Sequence, residues 1–225
     1  MEKEVLILTK SDKNGGYCVA GVDRENGKFI RLVSDDTETE YALSKYDIEY
    51  DDHTELEVMD IIKVKLKEKQ ECWYQPENYI IDREYYFLKI AKTNIQEIKN
   101  YIMTEPYIFY NSDKSVDETI IKNQLNKYSL IMFRVDKLNL WKNKYKDRKI
   151  MASFDYNGES YSFIKITDSN LTEIYYDKVS KCAPRPFVIE GAILVMSLAG
   201  SHSDGRHYKL IANIIEDEQM PVFAF

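Results

Sequence analysis

The stretch KIMASFDYNGESYSFIKIT, residues 149–167, constrains the fold more than any other. Asn157-Gly158 sits between two runs of alternating apolar and polar residues. Both turn residues tolerate positive φ, so the stretch predicts a β-hairpin with a two-residue turn. Strand signals continue on either side. In the N-terminal half, EVLILT precedes the polar turn KSDKNGG, and YCVAGV and KFIRLV flank DRENG. MDIIKVKLKEK alternates at Ile62, Val64 and Leu66, WYQPENYIID holds a proline-centred turn, and YYFLKI reads as a strand. In the second half, SLIMFRVDKLNLW, FVIEGAILVMSLAG and HYKLIANII accompany the Asn157-Gly158 hairpin.

Helical periodicity is confined to three short places. TNIQEIKNYIM opens on Thr93 with Gln96 three residues on, and Ile95, Ile98 and Ile102 share a face. SVDETIIKNQLNKY is capped by Ser115 or Asp117, and DSNLTEIYYDKV by Asp168 or Ser169. Each half therefore holds about five strands and a helix, and strands do not alternate with helices. An all-β-leaning α+β protein of two small barrels with a few short helices fits this pattern better than one doubly wound sheet. The expected division is 1–127, with the helices at its end, and 128–225. The 225 residues suffice for two domains of about 100 each.

Composition excludes several classes. Net charge is −7, so bulk electrostatics do not announce a nucleic-acid binder. The charge is uneven: residues 34–60 carry eleven acids and one base, and residues 137–149 six bases and one acid. Cys18, Cys72 and Cys182 are odd in number and form no CxxC. A disulfide framework or zinc site is not expected, and a reducing cytoplasm fits. The longest apolar run near the start, Val5 to Leu8, is too short for a signal peptide or a membrane span. No membrane partner is expected.

The string VLILTKSDKNGGYCVAGVD…GKFIRLVS, the phrase DIIKVKL and the closing SLAG…HYKLIANII together resemble the bacterial dual OB-containing domain. The resemblance runs from about Val5 to Ile215, and Gly15, Gly16, Cys18, Gly21, Arg31 and His207 stand in matching places. Phe29 and Leu32 stand where family members often have tryptophan and proline. Met59 stands where they usually have glycine. The resemblance implies two consecutive OB-like barrels and nucleic-acid binding as the expected role. It implies no mechanism, since one fold hosts many functions.

Four groups of residues are candidate contacts. Lys10, Ser11, Gly15 and Gly16 offer a cation, a hydroxyl and backbone N–H groups for an anion, although both glycines also fit as turn residues. The spacing is not a P-loop. Arg31 interrupts FIRLV; alternation puts it beside Phe29 on the face opposite Ile30 and Leu32, where a guanidinium and a ring would pair phosphate and stack a base. The alternative is an Arg paired to a nearby carboxylate. Arg206, His207 and Lys209, with His202, form a polar patch at the last strand, short of a metal set. Trp141, Lys142, Lys144, Tyr145 and Lys146 offer a second contact of cations interleaved with aromatics. Cys18 reads as a small buried hydrophobe.

No catalytic triad, metal set or acid pair emerges, and no cofactor is implied. The reading is a non-enzymatic module for nucleic acid, single-stranded by preference, acting through phosphate pairing and base stacking. Two alternatives stand beside it: a sensor of a small phosphorylated ligand, such as a nucleotide, between the barrels, and a protein–protein adaptor.

Overall fold

The computed structural model describes residues 1–143 and 148–216. The chain separates into two compact units. One comprises Met1–Tyr101 and Gln124–Leu130, the other Ile102–Asn123 and the chain from Ile131 onward. The expected division between Lys127 and Tyr128 thus falls inside a segment that returns to the first unit.

The first unit contains β1 (Glu2–Lys13), β2 (Gly16–Asp23), β3 (Phe29–Val33), β4 (Asp60–Lys69), β5 (Asn78–Ile81), β6 (Leu88–Lys92) and helix α1 (Ile95–Lys99). The strand order is β1-β2-β3-β5-β4, and β4 pairs back onto β1 to close a five-stranded barrel. The β3–β5 pair is parallel, and the other pairs are antiparallel. Strand β6 extends the sheet along the first half of β4. The alternating residues Ile62, Val64 and Leu66 enter the core with Val5, Ile7, Val19, Ile30 and Leu32. The acidic segment 34–59 is largely irregular, but Leu43, Ile48 and Leu56 anchor it in the same core.

Two turn details differ from expectation. The polar string KSDK continues β1, and the reversal is the Asn14-Gly15 pair at φ 46° and 80°. Helix α1 is capped by Asn94, whose side chain accepts from the Gln96 and Glu97 N–H groups. Thr93 instead donates its hydroxyl to the Glu97 carboxylate at 2.6 Å.

The second unit repeats the topology. It contains β7 (Ser115–Asp117), α2 (Glu118–Lys122), β8 (Leu130–Lys142), β9 (Ile150–Tyr156), β10 (Glu159–Ile166), α3 (Ser169–Cys182), β11 (Phe187–Ser201) and β12 (Arg206–Glu216). The ring runs β8-β9-β10-β12-β11 and returns to β8, and here too the pair of third and fifth strands, β10–β12, is parallel. Asn157-Gly158 closes the β9–β10 hairpin with φ 50° and 81°, as the sequence predicts. Helix α3 lies between the third and fourth ring strands and is capped by Asp168, which accepts from the Leu171 N–H at 3.0 Å. Strand β7 pairs with the opening of β12. The molecule is therefore two closed five-stranded barrels in succession with three short helices. Among the described residues, no helix is long and apolar enough to cross a membrane.

Candidate binding face

OB barrels bind their ligands over the second and third ring strands and the loops after the first and fourth. In the first barrel this region is β2–β3, the Asn14-Gly15 turn and the loop 70–77. It is largely closed. Strand β2 is buried from Val19 to Asp23, and β3 from Ile30 to Val33.

Arg31 is the decisive case. Alternation correctly places it opposite Ile30 and Leu32, but that face is covered, and Arg31 is 1% exposed. Its Nη1 donates to Asn78 Oδ1 and Ser129 Oγ at 2.9 Å each, and Nη2 to the Ser129 carbonyl at 3.3 Å. Ser129 in turn donates N–H and hydroxyl to the Glu77 carboxylate at 2.7 Å each. The exposed surface expected of Arg31 and Phe29 is therefore absent: Arg31 is a buried structural clamp, and Phe29 is half-buried. Its partners include the Asn78 amide and Ser129, and Ser129 links it to the Glu77 carboxylate.

The Lys10–Gly16 group also serves the fold. Ser11 is buried, and Lys10 is half-buried and pairs with Glu55 at 3.3 Å. Gly15 supplies the positive φ of the turn. Gly16 lies where a Cβ would meet the Leu43 carbonyl oxygen at 2.3 Å, because the chain pairs there with Leu43. Glycine is required by that approach, so nothing needs an anion to explain it.

In the second barrel, the alternation of His207 and Lys209 against Tyr208 holds, but their shared face is the interior. The expected patch does not form: His207 and Lys209 are buried, while Arg206 and His202 are exposed. His207 Nδ1 lies 2.9 Å from the Ala199 carbonyl. Lys209 Nζ donates to Asn111 O at 2.6 Å and Oδ1 at 2.8 Å, 5.0 Å from the centre of the Tyr161 ring. Burial pushes the Lys209 ammonium down to about 7, against a weaker upward pull from Asp113. His202 stays in the exposed loop beside Asp204 at 3.5 Å. Among the described residues, no cluster of His, Cys, Asp or Glu could hold a metal.

The open region is the outer surface of β8, β9 and β10. Here burial alternates: Ile150, Ala152, Phe154, Tyr161, Ile164 and Ile166 point inward, while Met151, Ser153, Asp155, Ser160, Ser162, Phe163 and Lys165 are half-buried or exposed. Trp141 is 39% exposed, pairs in register with Met151, and donates its Nε1 to Ser153 Oγ at 3.0 Å. Met151 in turn pairs with Lys165. Opposite Ser153, two residues of β10 face one of β9, so Ser162-Phe163 form a β-bulge. Phe163 adopts φ 59° and is 72% exposed. A bulky side chain in left-handed backbone is a true outlier, and bulges re-aim side chains near functional sites. Trp141 and Phe163 therefore flank Ser153 on one surface.

Cations border this surface. Lys142 and Arg148 stand over the Tyr176 ring of α3, at 4.7 and 5.8 Å from its centre. Of the residues expected to form a second contact, Trp141 and Lys142 border this surface, while Lys144, Tyr145 and Lys146 lie outside the described residues. Phe163 escaped the sequence reading. Strict alternation from Tyr161 turns Phe163 inward, but it also turns Lys165 inward and Ile164 and Ile166 outward. That conflict is the signal of a bulge.

The fold and this surface together define an OB-barrel binding module. The model of the dual OB-containing domain family matches residues 3–214, and the chain belongs to that family. No curated protein and no solved structure matches it.

Proposed function

We propose that the chain is a non-enzymatic module for single-stranded nucleic acid and that the outer face of the second barrel makes the contact. The observation that carries this reading is the exposed Phe163, held at a bulge opposite Ser153, the residue to which Trp141 donates its Nε1. Two exposed rings over the strands that OB barrels use for oligonucleotides form a stacking platform, and Lys142, Lys165 and Arg148 supply the phosphate contacts. The platform stacks any base, so the preference is for unpaired strands without sequence readout. A net charge of −7 favours a short footprint over a long basic groove. The three cysteines form no disulfide, which is consistent with a reducing compartment such as the cytoplasm.

Fluorescence anisotropy with a mixed-sequence single strand and its duplex tests this reading. Micromolar binding of the single strand is expected, weaker for the duplex, with a log–log salt slope of roughly −2 to −3 for three or four phosphates. Equal affinity for both forms, or no binding at low salt, contradicts it. A small phosphorylated ligand is the second reading, favoured by a polar cleft beside Phe163.

A further inference from the structure

The second barrel carries a cleft of about 400 Å³ that adjoins the stacking face without coinciding with it. It opens near the mouth of the parallel β10–β12 pair, which is joined only at Lys165–Leu210 and Ile166–Ile211. Upstream of these pairs, β12 turns to β7 instead, through Arg206–Asp117, His207–Val116 and Tyr208–Ser115. The segment 112–115 forms one wall, β10 from Ser160 to Phe163 the other, and Arg206 also lines the cleft. Its size lies within the range of small-molecule sites.

The lining chemistry is specific. Lys114 and Arg206 are exposed cations on separate elements, and Asp113 is the only acid among the lining residues. Ser112, Ser115 and Ser162 add three hydroxyls, each with one O–H to offer an anionic oxygen, while the Ser160 hydroxyl donates to Asp155 at 2.6 Å. Phe163 forms part of the rim, so one ring faces both the cleft and the open surface. The wall is anchored from inside: Lys209 holds Asn111 at its carbonyl and side-chain oxygens, and Asn111 Nδ2 donates to the Ser115 carbonyl at 3.1 Å. Such anchoring holds the segment in place before any ligand arrives.

We infer that this cleft binds the phosphate monoester of a nucleotide, with Arg206 and Lys114 on the phosphate, the serine hydroxyls on its remaining oxygens and Phe163 against the base. A guanidinium and an ammonium with several hydroxyls suit a dianionic terminal phosphate better than the single charge of an internal diester. Asp113 is placed to accept from a sugar hydroxyl or a base amine. The phosphate comes from the end of a bound strand or from a free mononucleotide. The first source rests on the single-strand reading above; the second does not.

Binding of four probes separates these cases: one ten-mer with 5′-phosphate, 3′-phosphate or hydroxyl ends, and a nucleoside monophosphate as competitor. The expected result is about tenfold tighter binding of one phosphorylated ten-mer than of the hydroxyl-ended one. Arg206→Ala and Lys114→Ala, both surface changes, remove that advantage and leave the hydroxyl-ended affinity in place. If only the mononucleotide binds, and Arg206→Ala abolishes it, the cleft assignment holds with the free nucleotide as ligand and the strand reading fails. If phosphorylated and hydroxyl-ended strands bind alike and the mononucleotide does not bind, the cleft assignment is overturned while the strand reading stands. If no probe binds, both fall.

Discussion

The two barrels share a strand order and differ in what they do with the same face. In the first, β2 and β3 are buried almost throughout, and the Arg31 guanidinium is engaged by Asn78 and Ser129. In the second, β9 and β10 are buried on one side only, and the other side holds an exposed phenylalanine at a backbone outlier. Topology alone therefore does not locate an OB binding site. The state of the outer face does, because a stacked base needs an aromatic plane that water can reach.

The sharpest difference in stability lies in the two buried cations. Lys209, pushed down to about 7 by burial, is protonated in the unfolded chain up to its ordinary value near 10.5. Between those values the unfolded state binds more protons, so stability rises with pH there, by on the order of 5 kcal/mol at most. Below about 7 both states are protonated and the contribution is flat. Tyr50 and Tyr175, both raised by burial, act only above roughly pH 10 and in the opposite direction. Urea midpoints from pH 6 to 10 should rise in the native protein and flatten in Lys209→Met. Arg31 acts as a clamp on Asn78 and Ser129. Arg31→Met should cost about 3 kcal/mol by leaving Asn78 and Ser129 without their donor, yet leave single-strand affinity unchanged. A loss of affinity in a folded Arg31→Met protein would return the ligand to the first barrel.

Phe163 sets stability against function. Phe163→Ala should weaken single-strand binding by about 1–3 kcal/mol, the worth of one stacked base. Phe163→Asn should lose the same affinity while raising the unfolding free energy by about 1 kcal/mol, since asparagine tolerates left-handed backbone better. The smallest effect concerns Met59, which adopts φ 74°. Family members usually carry glycine there, and the positive φ supplies the reason. Met59→Gly should gain up to about 1 kcal/mol in urea unfolding and leave binding untouched.

Most ring strands are legible because alternation and turn chemistry are local; the exception is β5, which falls inside the stretch read as a proline-centred turn, while YYFLKI runs into β6 outside the ring. Asn157-Gly158 and the alternation of Ile62, Val64 and Leu66 needed no tertiary information. What covers a strand face is not local, and there the reading failed. Arg31 was placed on the correct side of β3, but nothing near it announced that Ser129 would close over it. For His207 and Lys209 the clue was present. Ile211 lies on their side of β12, so a core isoleucine carries both polar residues inward. Several positions that support the family resemblance also prove structural. Gly16 and Gly21 sit where a Cβ would meet the Leu43 and Leu6 carbonyls, and Arg31 and His207 are buried. Resemblance therefore located the fold and not the ligand.

The two tryptophans allow the most direct test of the difference between the barrels. Trp73 lies in the 70–77 loop of the first barrel and Trp141 on the outer face of the second, and they are 40% and 39% exposed. Similar access means that a difference in response reports binding. Trp73→Phe and Trp141→Phe each leave one reporter, to be titrated with a mixed-sequence single strand at low salt. The account predicts saturable quenching of Trp141, reversed by salt, and little change at Trp73. Quenching of Trp73 with Trp141 silent would contradict it.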